Sequence, residues 1–315
     1  MMPRPRHVTA IGGGHGLART LEALLHLGIE PTAVVTVADD GGSSGRLRQA
    51  HGILALGDMR MALQTLAGGS HQQGQSVNVA DLFGHRFDHG DIAGHALGNL
   101  ILLALVQQHE GDVATAVQLA GQMLACRGQV VPCTVDDVTL VAQIDEDQVQ
   151  GQVAIQNAPG RHRSVWLEPR APSACTWAVD AIARADVILL GPGSLYTSII
   201  PNLLVPGIAA AIGDSDAPLV YVANLTGQPG ETGGMSLQDH VHALLTYLPA
   251  GRHIEVIAHD GPAVSGSGRS LDPVVDLPRV SAVHRSDLAA RRPDGTAVAA
   301  HDPKRLAGLL DAVLG

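Results

Sequence analysis

The chain has 315 residues, a formal net charge of −10, 45% hydrophobic residues and only 2% aromatic residues. This length allows one large domain, and its core must consist mainly of Ala, Val, Leu and Ile. The negative charge argues against a general nucleic-acid-binding surface, which takes an excess of Lys and Arg. The only lysine is Lys304, so a Walker-type ATPase, which needs a lysine in its glycine-rich loop, is disfavoured.

Several features indicate a cytoplasmic protein without a membrane span. The three cysteines have no CxxC spacing, which is typical of a reducing compartment. The N-terminus leads from a short basic start directly into a predicted strand, without the apolar region of a signal peptide. The longest apolar run, at 100–106, is far shorter than the roughly 20 residues that cross a membrane.

The N-terminal part of the chain alternates predicted strands and helices. The first strand, helix and strand form one βαβ unit with a right-handed crossover. A polar, histidine-rich, irregular segment follows at 71–94. Apolar periodicity and turn residues predict strands at 7–11 and 32–37, and helices at 17–28, 59–67 and 94–109.

The pattern changes between about 128 and 170, where period-2 alternation predicts an antiparallel β insertion. The alternating pattern then returns, with helices expected at 178–185, 235–248 and 302–315 and strands at 186–194, 219–225 and 253–260. We therefore predict an α/β fold with a mostly parallel sheet flanked by helices. Residues 1–315 are expected to form a single domain that carries the insertion.

Glycine-rich loops follow three of the predicted strands, at 11–16, 37–45 and 189–194. In open parallel sheets, ligands bind outside the carboxyl ends of the strands, so all three loops are expected on one edge. In the first loop, backbone amides at a helix N-terminus form an anion site. A tight turn without a phosphate remains the alternative, because the spacing is not the dinucleotide fingerprint. The candidate residues of this loop are Gly12, Gly13, Gly14, His15 and Gly16.

The second loop begins with two adjacent acids, Asp39 and Asp40, at the end of a strand. Acids at this position bind ribose hydroxyls in Rossmann-like proteins, and one of the two could instead hold Mg²⁺. The alternative is a solvated turn with an N-cap aspartate. Four successive amides could add a second anion nest, those of Gly41, Gly42, Ser43 and Ser44.

Two further segments supply candidates. Asp58 could cap the helix at 59–67, or contact a ligand or metal while Arg60 grips a phosphate. His95 and Asn99 lie one helical turn apart and could both point toward a ligand. The spacing of the histidines around them matches no closed structural zinc site.

The third loop follows a buried strand and contains Gly191, Gly193 and Ser194. Ser194 and the amide of Gly193 could take a phosphate. Tyr196 either stacks on a base or sugar, or packs beneath the loop. Asn224 ends another strand, and a Gly/Pro-rich segment that could close over a ligand follows it.

Six motifs occur in the order GGGHGLA, TVADDGGSSGRLR, GDMR, GHALGN, GPGSLYTSIIPNLLV and QPGET. In these motifs the chain closely resembles the YvcK-like gluconeogenesis factors, a branch of the superfamily that contains 2-phospho-L-lactate transferase (CofD). The resemblance runs from about residue 7 to about 260. It implies a Rossmann-like fold and a site for a nucleotide sugar of the UDP-N-acetylglucosamine type. It also implies a role in carbon-source-dependent growth and cell shape.

The transferase relatives imply an alternative in which a phosphoester moves from a guanosine-diphosphate-linked donor to a deazaflavin alcohol with Mg²⁺. Asp39 or Asp40 would hold the metal, and Arg46, Arg48 or Arg60 would supply positive charge. Sites for large planar rings offer aromatic walls, which so few aromatic residues support poorly. We therefore favour a non-catalytic binding protein, with Mg²⁺ possible, no catalytic residue identified and a homo-oligomer left open.

Overall fold

The computed structural model describes residues 5–68, 78–160, 162–265 and 268–315. Its strands, in chain order, are β1 (Val8–Gly12), β2 (Thr32–Val35), β3 (Gln129–Pro132), β4 (Thr139–Ile144), β5 (Asp147–Gln150), β6 (His162–Glu168), β7 (Val187–Leu190), β8 (Leu219–Val222), β9 (Ile254–His259), β10 (Val280–Ser286), β11 (Ala289–Arg291) and β12 (Ala297–His301).

The helices, again in chain order, are α1 (Gly14–His26), α2 (Gly42–His51), α3 (Gly57–Ala67), α4 (Val79–Gly84), α5 (Leu97–Gln108), α6 (Val113–Met123), α7 (Gln152–Asn157), α8 (Thr176–Ala183), α9 (Ile200–Leu203), α10 (Pro206–Asp214), α11 (Leu237–Tyr247) and α12 (Pro303–Leu314). A single π-helical turn, Leu195–Ile199, leads into α9.

The central element is a seven-stranded parallel sheet in the order β10-β9-β8-β7-β1-β2-β3. Ile11 of β1 pairs with Val34 on one side and with Leu190 on the other. The chain therefore builds the sheet outward in two directions from β1, and the order reverses between β1 and β7. Such a switch point is where open α/β sheets bind ligands.

Helices pack on the sheet because its central strands are buried on both faces. All five residues of β1 and all four of β7 are buried, which is typical of parallel strands between two helical layers. Helix α1 buries Leu17, Leu21 and Leu24, the apolar face expected from their spacing, and packs against α3 and α12. The predicted α/β fold with a mostly parallel sheet is confirmed.

The antiparallel insertion is real but begins later than expected. Strand β3 pairs in parallel with β2, with Gln129 opposite Thr32, so it is the edge strand of the main sheet. The prediction that it opens the insertion was wrong, because a parallel partner almost one hundred residues away leaves no trace in local alternation. The insertion is the three-stranded sheet β5-β4-β6, with α7 between β5 and β6.

Several elements were not predicted from the sequence. The most important is α2, which occupies part of the segment expected to be a glycine-rich loop. The expected irregular segment at 71–94 lies partly outside the described residues, and its remainder contains α4. The others are α6, α7, the π-helical turn with α9, α10 and the strands β10, β11 and β12.

Within the described ranges, no single helix is long and apolar enough to cross a membrane. One pair of helical segments, Leu195–Leu203 and Pro206–Asp214, passes the same test of length and composition only when joined, and it is bent by 73°.

Candidate functional site

The three glycine-rich loops meet at the carboxyl edge of the sheet. A Cβ atom at Gly16 would overlap the carbonyl oxygen of Pro192, so the loops after β1 and β7 are in backbone contact. A Cβ atom at Gly13 would overlap Oδ2 of Asp58. Asp58 in turn lies close enough to Asp39, in the loop after β2, for the two carboxylates to repel each other. These loops form what we call the carboxyl rim, residues 12–16, 39–45 and 191–196.

Helix α1 begins at this rim with a glycine as its N-cap residue. Gly13 occupies that position and has no capping side chain, but the carboxylate of Asp58 accepts from the amide of Gly14. The amide of Leu17 donates to the carbonyl of Gly13 at 3.4 Å, so the amides of Gly14, His15 and Gly16 precede the first intrahelical bond. The first turn contains no acidic residue. The amides of His15 and Gly16 can therefore receive an anion, whereas that of Gly14 already donates to Asp58.

Helix α2 also begins at the rim with a glycine N-cap residue. Its N-cap residue is Gly41, whose amide donates to Oδ1 of Asp39 at 2.9 Å. The first intrahelical bond runs from the amide of Gly45 to the carbonyl of Gly41, at 3.0 Å. The amides at 42–44 come before this bond, as the predicted anion nest requires.

Among the described helices, α4, α6, α11 and α12 have a capping side chain at the N-cap residue, whereas the others, such as α3, α5, α8 and α10, do not. Asp112 accepts from the amide of Thr115 at the start of α6, and Asp302 accepts from two amides at the start of α12. Helix α11 has a complete capping box between Ser236 and Asp239. A capping side chain satisfies amides that would otherwise seek another acceptor. At α1 and α2 the N-cap residue is glycine; the carboxylates of Asp58 and Asp39 take the amides of Gly14 and Gly41, and the amides that follow remain for a ligand at the rim.

Asp39 and Asp58 form an acidic pair below these amides. Burial raises the pKa of Asp58 to about 7, and the charge of Asp39 adds to the rise. Burial also raises the pKa of Asp39, although the amide of Gly41 and the hydroxyl of Ser44 partly oppose it. A carboxyl group with such a pKa holds a proton near neutral pH, so the charge of the pair depends on pH.

The interpretation of Asp58 as a helix cap was wrong. Helix α3 begins at Gly57, and the N-cap position belongs to Leu56. Arg60 is only 6% exposed, and its Nη1 donates to Oε1 of Gln64 at 2.7 Å. Burial lowers the pKa of Arg60. Phosphate binding by Arg60 remains a prediction, and the burial of its side chain does not favour it.

His95 and Asn99 meet at the side chain of Ser43. Nδ1 of His95 lies 3.0 Å from Oγ of Ser43, and Nδ2 of Asn99 donates to the same oxygen at 2.9 Å. All three residues are buried. Burial, together with the charges of Arg46 and Arg86, lowers the pKa of His95. The neutral imidazole and the amide therefore orient Ser43 in the first turn of α2.

The third loop is tied down by side chains. The amide of Gly193 donates to Oδ1 of Asn224 at 3.1 Å, and Nδ2 of Asn224 donates back to the carbonyl of Gly193 at 2.9 Å. Oγ of Ser194 accepts from Nε2 of Gln228 at 3.1 Å. Tyr196 is 5% exposed, which is the packed alternative that the sequence left open. The amide of Gly191 donates to Ile11 within the sheet.

Two polar residues at the rim were missed as site residues. Nδ2 of Asn202 donates to the carbonyl of Gly12 at 3.3 Å, and it thereby supports the first loop from α9. Glu231 is buried beside the amides of residues 195–197, and burial raises its pKa to about 7. Both residues lie in quoted motifs, PNLL and QPGET. Only the fold shows that they reach the rim.

The acidic pair has the donor chemistry for the Mg²⁺ that the resemblance implies. Mg²⁺ takes oxygen ligands, usually one or two carboxylates together with substrate phosphates. Throughout the described parts of the chain, no group of three or more His, Cys, Asp or Glu side chains could hold a metal by itself. A divalent cation would relieve the repulsion between Asp39 and Asp58. Asp40 fits less well, because its Oδ1 accepts from the amide of Val153 at 2.9 Å.

Comparison with known proteins places the chain in one family. The family model described as "2-phospho-L-lactate transferase CofD" matches residues 8–305. A Bacillus subtilis protein named gluconeogenesis factor is 42% identical over 78% of this chain and 75% of its own length. A Deinococcus radiodurans relative is 45% identical over 78% of this chain but only 52% of its own length. The chain therefore spans about half the length of that relative.

A solved structure agrees with this placement. The crystal structure of a UPF0052 family member from Bacillus halodurans has a TM-score of 0.87 and 33% sequence identity, and the match covers 98% of this chain and 100% of that one. The resemblance predicted from the motifs is confirmed. The chain belongs to the CofD family and is similar to its gluconeogenesis factors.

Proposed function

We propose that the protein is a cytoplasmic, non-catalytic binding protein for a nucleotide sugar of the UDP-N-acetylglucosamine type. Binding of the nucleotide sugar to this protein would regulate carbon-source-dependent growth and cell shape. The diphosphate would lie across the carboxyl rim, on the amides at the starts of α1 and α2. The identity of the base and sugar rests on the resemblance to the YvcK-like factors.

One observation carries the proposal: two helices begin at the rim with glycine N-cap residues, and beyond the amides of Gly14 and Gly41, which donate to Asp58 and Asp39, their first turns have no side-chain cap among the described residues. Each supplies several amides together with the positive end of a helix dipole. Two such termini, linked through the acidic pair, would suit two connected phosphates better than one. Asp39 and Asp58 lie beneath them and would hold Mg²⁺ against the diphosphate, where the ion would neutralise its charge.

The transferase is the second candidate, because the matching family model carries that description. Its chemistry needs positive charge around the transferring group. In this chain, however, Arg46 donates to the carbonyl of Ala93, and Arg48 donates to Asp137 at 2.6 Å. Arg60 is buried against Gln64. With these guanidinium groups engaged, the binding protein is the better supported proposal.

The positions of the aromatic residues also favour the binding protein over the transferase. A deazaflavin would need an aromatic or apolar wall at the rim. Tyr196 and Tyr221 are both buried, and Trp166 of the insertion stacks under Arg170 at 4.6 Å. Trp177 lies on α8. Tyr196, the one of these four that belongs to the rim, is buried and presents no open face there.

Isothermal titration of UDP-N-acetylglucosamine and of GDP, each with and without Mg²⁺, separates the two candidates. We expect the UDP-sugar to bind more tightly. Tighter binding of GDP that Mg²⁺ strengthens further would instead support the transferase.

A matched pair of variants tests the amides themselves. His15→Pro removes one backbone donor in the first turn of α1, where helices tolerate proline. His15→Ala keeps that donor and removes only the exposed imidazole. We expect the proline variant to weaken binding about tenfold relative to the alanine variant, the size of one charge-assisted hydrogen bond. Equal affinities would show that these amides do not hold the diphosphate.

A further inference from the structure

Helix α7 of the insertion contacts three separate loops at the carboxyl edge. Nε2 of Gln156 donates to Oγ1 of Thr197, in the π-helical turn after β7, at 2.9 Å. The carbonyl of Gln156 lies so close to Gly230 that a Cβ atom there would overlap it. The side chain of Val153 lies against Gly41, the N-cap residue of α2. Helix α7 thus stands directly beside the open amides of α2.

Helix α7 lacks a capping side chain of its own. Its N-cap residue is Gly151, and the cap comes from a residue 113 positions earlier in the chain. Oδ1 of Asp40 accepts from the amide of Val153, the second residue of the helix, at 2.9 Å. A Cβ atom at Gly151 would overlap Oδ2 of Asp40, so glycine there makes room for the carboxylate.

A second contact ties the insertion to the same segment. Nη2 of Arg48, on α2, donates to Oδ1 of Asp137 at 2.6 Å and to the carbonyl of Val138 at 2.5 Å, just before β4. Between these two attachments lies a cavity of about 280 Å³, bordered by Asp40, Arg48 and Gly151. The segment 40–48 therefore holds the insertion at both ends of the cavity.

We propose that Asp40 is a positioning residue, the long-range N-cap of α7, and that α7 in turn forms one wall of the ligand site beside α2. The two adjacent acids of the motif then have different roles. Asp39 faces the amides and Asp58, whereas Asp40 orients the insertion and contacts no ligand. The part of this inference that concerns ligand affinity rests on the proposed nucleotide binding, but the capping of α7 does not.

The test compares Asp40→Ala with Asp40→Asn, because asparagine caps helices as well as aspartate does, although it carries no charge. Hydrogen exchange of the amides in 152–157 reports the cap directly, and titration of UDP-N-acetylglucosamine reports the site. In Asp40→Ala we expect exchange about five-fold faster, the size of a typical N-cap loss, with affinity reduced by a similar factor. In Asp40→Asn both should stay within about two-fold of wild type.

Two further variants make the outcome specific. In titrations with Mg²⁺, Asp39→Asn should weaken binding, because it removes a proposed ligand of the ion, while exchange in α7 stays unchanged. Gln156→Ala should accelerate exchange in α7 without altering any charge, and it replaces Asp40→Ala if that variant does not fold. The proposal is overturned if Asp40→Asn loses as much affinity as Asp40→Ala, which would mean that the charge itself meets the ligand. Unchanged exchange in Asp40→Ala would overturn it as well.

The failure of the two proposals can be told apart. If wild type binds neither UDP-N-acetylglucosamine nor GDP, the proposed function fails, yet the exchange measurements still decide whether Asp40 caps α7. If wild type binds the UDP-sugar and Asp40→Ala binds it equally well despite faster exchange, α7 is capped by Asp40 but does not form a wall of the site.

Discussion

The difference in stability between Asp58→Asn and wild type should shift in favour of the variant as pH rises. Burial and the neighbouring Asp39 raise the pKa of Asp58 to about 7, from an ordinary value of 3.8. Between these two values the native state holds a proton that the unfolded chain has released. Native stability therefore declines as pH rises from about 4 to about 7. Asparagine keeps the shape of the protonated acid and removes this decline.

The size of the effect follows from the pKa difference. At 1.36 kcal/mol per pKa unit, the shift from 3.8 to about 7 corresponds to a ceiling of about 4 kcal/mol. Asp58 retains partial contact with solvent at the rim, and water screens its charge. We therefore expect the stability of Asp58→Asn relative to wild type to rise by about 2 kcal/mol between pH 4.5 and pH 8.

Urea unfolding of both proteins at several pH values measures this difference, and Asp112→Asn is the control. The amide and hydroxyl of Thr115 lower the pKa of Asp112, so its carboxyl is ionised in both states over most of this range. The stability of the control relative to wild type should stay nearly constant from pH 5 to pH 8. A constant difference for Asp58→Asn as well would refute the claim that this acid is neutral in the native rim.

Three further outcomes are expected. Gly16→Ala should destabilise the protein by about 1–3 kcal/mol in urea unfolding, because the added Cβ atom would overlap the backbone of Pro192. Its control is Gly308→Ala on α12, where the added Cβ atom meets no other atom, and this variant should be about 1 kcal/mol more stable than wild type. Ser43→Ala should cost about 1–3 kcal/mol in the same assay, because it leaves the buried amide of Asn99 without its acceptor. In titrations without Mg²⁺, nucleotide affinity should rise as pH falls from 8 to 6, because protonation of the acidic pair removes charge near the phosphates.

The sheet could be predicted largely because its signals are local. Each buried parallel strand is a short apolar run, and β1, β7 and β8 each end at a polar or glycine-rich turn. Apolar periodicity likewise identified α1 and α11. Strand β3 was assigned to the wrong sheet because register is set by long-range pairing. Its terminal Pro132 is compatible with an edge strand, which the sequence alone did not reveal.

Helix α2 could not be predicted, for a different physical reason. Its sequence GSSGRLRQAH has two glycines and two serines in the first four positions, all of which have poor helix propensity. Tertiary packing overrides that preference, because Ser43, Ser44 and Leu47 are buried against the rest of the chain. Because this segment is helical only through its tertiary contacts, the positions of its first amides also depend on those contacts. The sequence could indicate an anion nest there but not the helix that orients it.

The three loops after β1, β2 and β7 look alike in sequence, yet they differ in which backbone groups are free. The amide of Gly193 is taken by Asn224, and Glu231 places a buried carboxyl beside residues 195–197. The protein thus supplies its own acceptors at the third loop. At the starts of α1 and α2 it supplies Asp58 for the amide of Gly14 and Asp39 for that of Gly41, and the described structure shows no side-chain acceptor for the amides that follow in each first turn. Because an anion binds where donors are unsatisfied, the diphosphate should avoid the third loop. Asn224→Ala should therefore weaken binding less than His15→Pro, and the reverse order in titration would place a phosphate on Gly193.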